Sequence, residues 1–181
     1  MSGQRPGGAT GPTEYLPPSG KPPQCLLGVW PPSQTIGRCP SRGRRLDRVH
    51  TDVLEVDTER RRIVDLTDAV RRFCFSYGDG LCNVFVPHAT AGVAIIETGA
   101  GSDDDLVDTL ERLLPRDDRY QHAHGSPGHG ADHVLPAIVA PSVTVPVASG
   151  DPQLGTWQSI VLVDLNRDNP RRSVRLSFLE G

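Results

Sequence analysis

Residues 48–56 are extended in character, with Val49, Thr51, Val53 and Glu55 alternating against His50, Asp52, Leu54 and Val56. A period of two is the mark of a half-buried strand. This run and the shorter 61–64 are expected to be strands around the turn-forming Asp57-Thr58-Glu59. The period then lengthens. Ala69, Val70, Phe73 and Tyr77 recur at helical spacing, with Asp65 or Thr67 as N-cap and Gly78-Asp79-Gly80 as the stop. Leu81–Pro87 and Gly92–Glu97 are β-rich apolar runs, expected to lie close together in one sheet.

The clearest helix is 103–114. Ser102 is placed to cap it, Asp105 to complete a capping box, and Leu106, Leu110, Leu113 and Leu114 form its apolar stripe before Pro115 ends it. Asp103, Asp104 and Asp105 invite a metal reading, but a first helical turn favours negative charge and the cap explains all three. Residues 116–132 are polar, glycine-containing and irregular, and a short helix is expected from about His133, with Pro136 in its first turn. Val143–Ala148, Ser159–Asp164 and Ser173–Leu179 read as three closing strands. The order of elements implies an α+β domain on largely antiparallel sheet, with two or three helices.

Composition divides the chain. Residues 1–43 hold nine of the 17 prolines and eight of the 19 glycines and carry a net +3, so the remainder carries −6. Such a segment buries too little apolar surface to offset its ordering entropy, so 1–43 is expected to be a disordered tail and 44–181 the domain. No apolar run is long enough to span a bilayer or form a signal segment. The acidic body argues against nucleic acid as a partner. Lys21 is the only lysine, which excludes P-loop and Schiff-base chemistry from the body. Cys25, Cys39, Cys74 and Cys82 form no C-x-x-C pair and read as reduced thiols, so a soluble cytoplasmic protein is the expectation.

Histidine is where chemistry enters. His122, His124, His129 and His133 fall within twelve residues of a glycine-containing loop. Neutral imidazole is the commonest ligand of borderline-soft divalent ions such as zinc, although a polar surface loop also accumulates histidines without function. His88 ends a strand ahead of the tight run Ala89-Thr90-Ala91-Gly92. Taken alone it reads as a satisfied core residue. Glu97 ends the next strand and suits a ligand, a general base or a mere strand-end charge. In Gly155-Thr156-Trp157-Gln158, Thr156 and Gln158 offer neutral hydrogen bonds, and Trp157 is an anchor for a ligand or a core. No G-x-S-x-G elbow supports hydrolysis through Ser149 or Ser159.

Together, His88-Ala89-Thr90-Ala91-Gly92, Glu97, Tyr120-Gln121-His122, His133, Val145-Pro146-Val147, Gly155-Thr156-Trp157-Gln158 and Pro170-Arg171-Arg172 resemble, in order and spacing, the YjbQ family, also called the secondary thiamine-phosphate synthase family. The resemblance covers about 46–180. It implies an α+β domain with a β-sandwich core, assembled as a homotrimer with its site near a subunit boundary. It also implies a divalent metal on His88, His122 and His133, catalysis by Glu97 and His88, and substrate contacts from Thr90, Thr156, Trp157, Gln158 and Arg171. On that pattern His124 and His129 are incidental.

Four positions depart from the family pattern. Ile96 replaces an asparagine, Ala123 an asparagine or aspartate, Leu135 a lysine and Asp151 an arginine. Charge for a phosphate must then come from a metal or from arginines such as Arg171 and Arg172. The resemblance implies a metal-assisted transferase acting on a small phosphorylated substrate, such as the pyrimidine and thiazole precursors of thiamine phosphate. The alternative is a non-catalytic ligand-binding or scaffolding homotrimer.

Overall fold

Strand runs with one apolar face and strand runs apolar on both faces sort into different layers. The computed structural model describes residues 48–59, 61–117, 119–122 and 124–181, so the proposed tail 1–43 lies outside the described residues. Its elements are β1 (Val49–Asp57), β2 (Ile63–Asp65), α1 (Thr67–Cys74), β3 (Gly80–Phe85), β4 (Ala91–Ile96), α2 (Ser102–Leu113), α3 (His129–Ile138), β5 (Ser142–Ala148), β6 (Asp151–Pro152), β7 (Ser159–Asp164) and β8 (Arg171–Glu180). A five-stranded sheet runs β1-β8-β3-β5-β6 and a three-stranded one β2-β7-β4, every pair antiparallel. The fold is α+β, with two antiparallel sheets and three helices.

Alternation decides which face of the larger sheet is covered. Val174, Leu176 and Phe178 of β8 and Cys82 and Val84 of β3 point inward, meeting Ile160 and Leu162 of β7 and Val93 of β4. The other face of β7, Val161 and Val163, packs against Leu110 of α2, Leu114 just after it, and Ala131 and Leu135 of α3. β7 is therefore apolar at consecutive positions because both its faces are buried. Gly92 is required where α3 ends: a side chain there would strike the Val139 carbonyl, and Val93 N–H bonds the Ala140 carbonyl at 2.8 Å.

Several expectations are corrected. β3 and β4 lie in different sheets, because Val86–Thr90 crosses from one layer to the other instead of closing a hairpin. β1 and β2 likewise separate, pairing with β8 and β7. The capping box of α2 does not form: Gly101, at φ 94°, occupies the cap position and Ser102 opens the helix, while Gly99 and Ala100 also take left-handed φ. α1 ends at Cys74, and Tyr77 instead stacks between His50 and Phe178 at ring separations of 4.2 and 4.9 Å. α3 starts four residues earlier than expected, which puts Pro136 well inside it.

Candidate functional site

The early start of α3 builds the site. Gly128, at φ 79°, turns the chain into the helix, so His129 and His133 stand one turn apart on a shared face, their Nε2 atoms 2.9 Å from each other. Gly130 then lets the preceding loop lie against the helix, since a side chain there would come within 2.8 Å of the His122 carbonyl oxygen. The His122 ring thereby reaches 4.2 Å from that of His133 and 4.1 Å from that of His124. One ring nitrogen from each of His122, His124, His129 and His133 lies within 4.8 Å of all the others.

Behind the rings is a fixed polar layer. Asp168 Oδ2 is 2.9 Å from His129 Nδ1, a contact that favours the proton on Nδ1 and so turns the Nε2 lone pair to the cluster. Asp168 is itself held by the Ser126 hydroxyl at 3.1 Å, which keeps its carboxyl below the usual range, with His129 adding to the effect. Asp132, fully buried, is gripped by both terminal nitrogens of Arg116 and by Asn166 Nδ2 at 3.0 Å. Among the described residues no buried side-chain polar atom lacks a partner.

His122 and His133 are both held below the ordinary histidine value, first by desolvation and then by the positive charge that neighbouring histidines would carry; Asp132 opposes this at His133. Both shifts favour the neutral imidazole, the form that binds metal. Tetrahedral zinc at about 2.1 Å from each imidazole separates ligand nitrogens by roughly 3.4 Å, and the observed span of up to 4.8 Å needs only small ring movements. The donor set thus fits a divalent ion. Beside it opens a cavity of about 300 Å3, with Asp117, Tyr120, Ser126 and Gly128 among its walls. Arg119 holds the Asp117 carboxyl below the usual range.

Of the three ligands the resemblance implies, the chain brings together His122 and His133. His88 lies outside the group: its Nε2 accepts the Ser173 N–H at 2.9 Å, and burial, followed by Arg172, holds it below the ordinary histidine value. His124 and His129, read as incidental, stand inside it: His129 because α3 extends back to include it, His124 from the loop before the helix. His88 and Glu97 do not meet within the chain, since they flank opposite ends of β4.

Thr90 is buried at the His88 end, whereas Glu97 is exposed at the other. Thr156, Trp157 and Gln158 line a different cavity of about 270 Å3, with Asp65, Asp68 and Arg71 also in its wall. There Gln158 Oε1 accepts the Gly155 N–H at 2.8 Å, and Trp157 is 73% exposed.

The substituted positions have clear places. Leu135 is a core residue, Ile96 packs against the same core, and Asp151 lies 3.7 Å from Arg71. Ala123 lies outside the described residues. Arg172 is not available to a phosphate: both it and Asp164 are buried, and they bond through two nitrogens at 2.6 and 3.0 Å. Arg171 is exposed at the start of β8. Sequence reasoning missed Asp132, Asn166 and Asp168. The available signal was the polar string Asn166-Arg167-Asp168-Asn169 after a buried strand, but no spacing rule ties it to a histidine 37 residues earlier.

An α+β antiparallel sandwich with a histidine-lined cavity at one end of its smaller sheet defines the class. The chain belongs to the family described as UPF0047 protein YjbQ-like, whose model matches residues 52–181. It is similar to the UPF0047 protein Rv2556c of Mycobacterium tuberculosis, 86% identical over 131 residues, covering 72% of this chain and 98% of the relative. A UPF0047 protein of Archaeoglobus fulgidus is 35% identical over 116 residues, 64% of this chain and 90% of the relative. Among solved structures, a YbjQ-like protein of unknown function from Sulfolobus solfataricus superposes with TM-score 0.69 at 26% identity, covering 74% of this chain and 99% of that one. The hypothetical protein APE1520 from Aeropyrum pernix gives TM-score 0.67 at 30% identity, covering 73% and 99%.

Proposed function

We propose that this chain is a metal-assisted enzyme acting on a small phosphorylated substrate, with transfer of the thiamine-phosphate synthase kind as its specific form. One observation carries the reading: four imidazole nitrogens converge within 4.8 Å beside an open cavity. An all-imidazole set suits zinc among common divalent ions. Bound there, the ion would neutralise charge on a phosphate or its leaving group. His129 and His133 would hold it from the helix, with His122 and His124 from the exposed loop; catalysis needs one of these four to yield a position to substrate. Tyr120 and Ser126 offer hydroxyls to orient the substrate. Asp117, kept ionised by Arg119, is a weak base and serves orientation too.

Glu97 and the Thr156–Gln158 string belong to the same reading only in a homotrimer whose site is completed across a subunit boundary. The outward face of the five-stranded sheet supports assembly, since Val49, Leu179 and Leu81 form one exposed row across it and Val53 is exposed on the same face. Buried free thiols at Cys74 and Cys82 suit a cytoplasmic setting, and no helix among the described residues is long and apolar enough to cross a membrane. The same exposed face, with Leu135 and Asp151 in place of family cations, favours the second reading, a non-catalytic ligand-binding or scaffolding homotrimer.

Metal analysis combined with a thiamine-phosphate assay on the pyrimidine and thiazole precursors separates the two readings. Stoichiometric metal and turnover lost in His133→Ala support the enzyme. Absence of both metal and turnover, from a trimer measured by light scattering, leaves the scaffold.

A further inference from the structure

The body is acidic, yet one cavity has arginine at three of its six lining positions, against two carboxylates. It measures about 340 Å3 and is walled by Glu59, Arg61, Arg62, Asp164, Asn166 and Arg167. Two loops form it: the β1–β2 turn and the segment after β7. Buried Thr58 stitches them together, giving its N–H to the Pro170 carbonyl at 2.8 Å and its hydroxyl to the same carbonyl at 2.9 Å. The next residue, Glu59, takes φ 45°, a left-handed conformation rare for a side-chain-bearing residue. Arg61 N–H then closes the turn on the Thr58 carbonyl at 2.7 Å. Strain of this kind persists where surrounding contacts over-determine it. Its effect here is to bring Arg61 and Arg62 into one wall with Arg167.

The charges in that wall are not equally engaged. Arg62 is paired with Glu111 at 2.7 Å, and Asp164 belongs to buried Arg172. Arg61 gives one N–H to the Asp57 carbonyl at 3.3 Å, and neither Arg61 nor Arg167 enters an ion pair among the described residues. We propose that this cavity binds a phosphate or diphosphate group, with Arg61 and Arg167 as its principal ligands. Guanidinium forks match phosphate oxygens in pairs, and a cavity of this size lies within the range of roughly 300–1,000 Å3 typical of ligand sites.

The site stands beside the histidines. Asn166 helps wall the arginine cavity, while its side-chain amide reaches Asp132 at 3.0 Å and lies 3.3 Å from His129. The arginines thereby supply cations in a chain that has Leu135 and Asp151 at two basic positions of the family pattern. That the bound group is the substrate's phosphate rests on the proposed function; anion binding itself does not.

The test is calorimetric titration of inorganic pyrophosphate into metal-free full-length protein at fixed low salt. The wild type is expected to bind saturably, and an Arg61→Gln, Arg167→Gln variant at least about tenfold more weakly. Both arginines are exposed, so that variant should keep the wild-type Tm. An Arg72→Gln, Arg112→Gln variant removes the same charge elsewhere and should bind as the wild type, as should His129→Ala, His133→Ala. No saturation at millimolar pyrophosphate, an equal loss in both arginine pairs, or a loss confined to the histidine variant would overturn the proposal. Arginine-dependent binding by a protein that takes up no zinc would uphold the anion site and remove the metal-assisted reading.

Discussion

The two ends of the three-stranded sheet share strands but not chemistry. At the end where β7 finishes at Asp164, charged groups are matched: Asp164 with Arg172, Asp132 with Arg116, Asp168 with Ser126 and His129. In front of that layer four ring nitrogens converge. At the end where β7 begins, Glu97, Trp157 and Gln158 are all exposed, and Gln158 folds back onto its own turn. Both ends carry conspicuous residue strings, yet only one is prepared within a single chain. Preparation comes from the support behind the functional groups, which fixes ring orientation before any ligand arrives.

The largest expected effect comes from breaking that support. Arg172→Met leaves Asp164 charged and buried, and about 3–5 kcal/mol of stability should be lost in urea unfolding. A loss near zero would mean that the polar layer does not hold this end together. Next, His133→Ala should weaken zinc binding by more than about 100-fold, with the metal-free Tm little changed. Asp168→Asn weakens the hold on the His129 ring and on Ser126 and should cost about tenfold in zinc affinity; an unchanged affinity would show that Asp168 does not orient a ligand.

A pH effect separates His88 from the cluster. Its folded pKa is held below the ordinary value of 6.5, so the unfolded chain takes up the proton first. Stability from this group is full above about pH 6.5 and falls as pH drops through that value towards the folded pKa. In EDTA, His88→Gln should therefore show a shallower decline in unfolding free energy from pH 7 to 5 than the wild type, and equal slopes would contradict this. The smallest effect is expected at the other end: Trp157→Ala should change stability by no more than about 0.5 kcal/mol and leave zinc binding unaltered.

Much of the fold was legible because periodicity reports burial directly. The runs that became β1, β5, β7 and β8 were each recognisable as strands, but their layers were not: in β1 the side carrying Val49 and Val53 is the exposed one. The separation of β3 and β4 into different sheets was not legible, since both runs are apolar and the chain between them is the same length whether it turns or crosses. The glycines misled in a consistent way. Gly128 and Gly130 read as loop, yet they start α3, Gly128 lying against Arg116 and Gly130 against Tyr120 and His122. His129 looked incidental on a different ground, that the family pattern keeps no histidine there. Its partner Asp168 comes from a segment 39 residues away that only the folded sheet brings near. Composition located the candidate chemistry, but the tertiary contacts select which histidines share it.

The central claim is that the histidine end is a prepared divalent-metal centre. Cobalt titration of the metal-free protein, read by visible absorption, tests it most directly. The account predicts saturation at one ion per chain, a spectrum of low-coordinate nitrogen ligation, displacement by zinc, and loss of the signal in His129→Ala, His133→Ala. A titration that never saturates, or one that survives that double substitution unchanged, would contradict it.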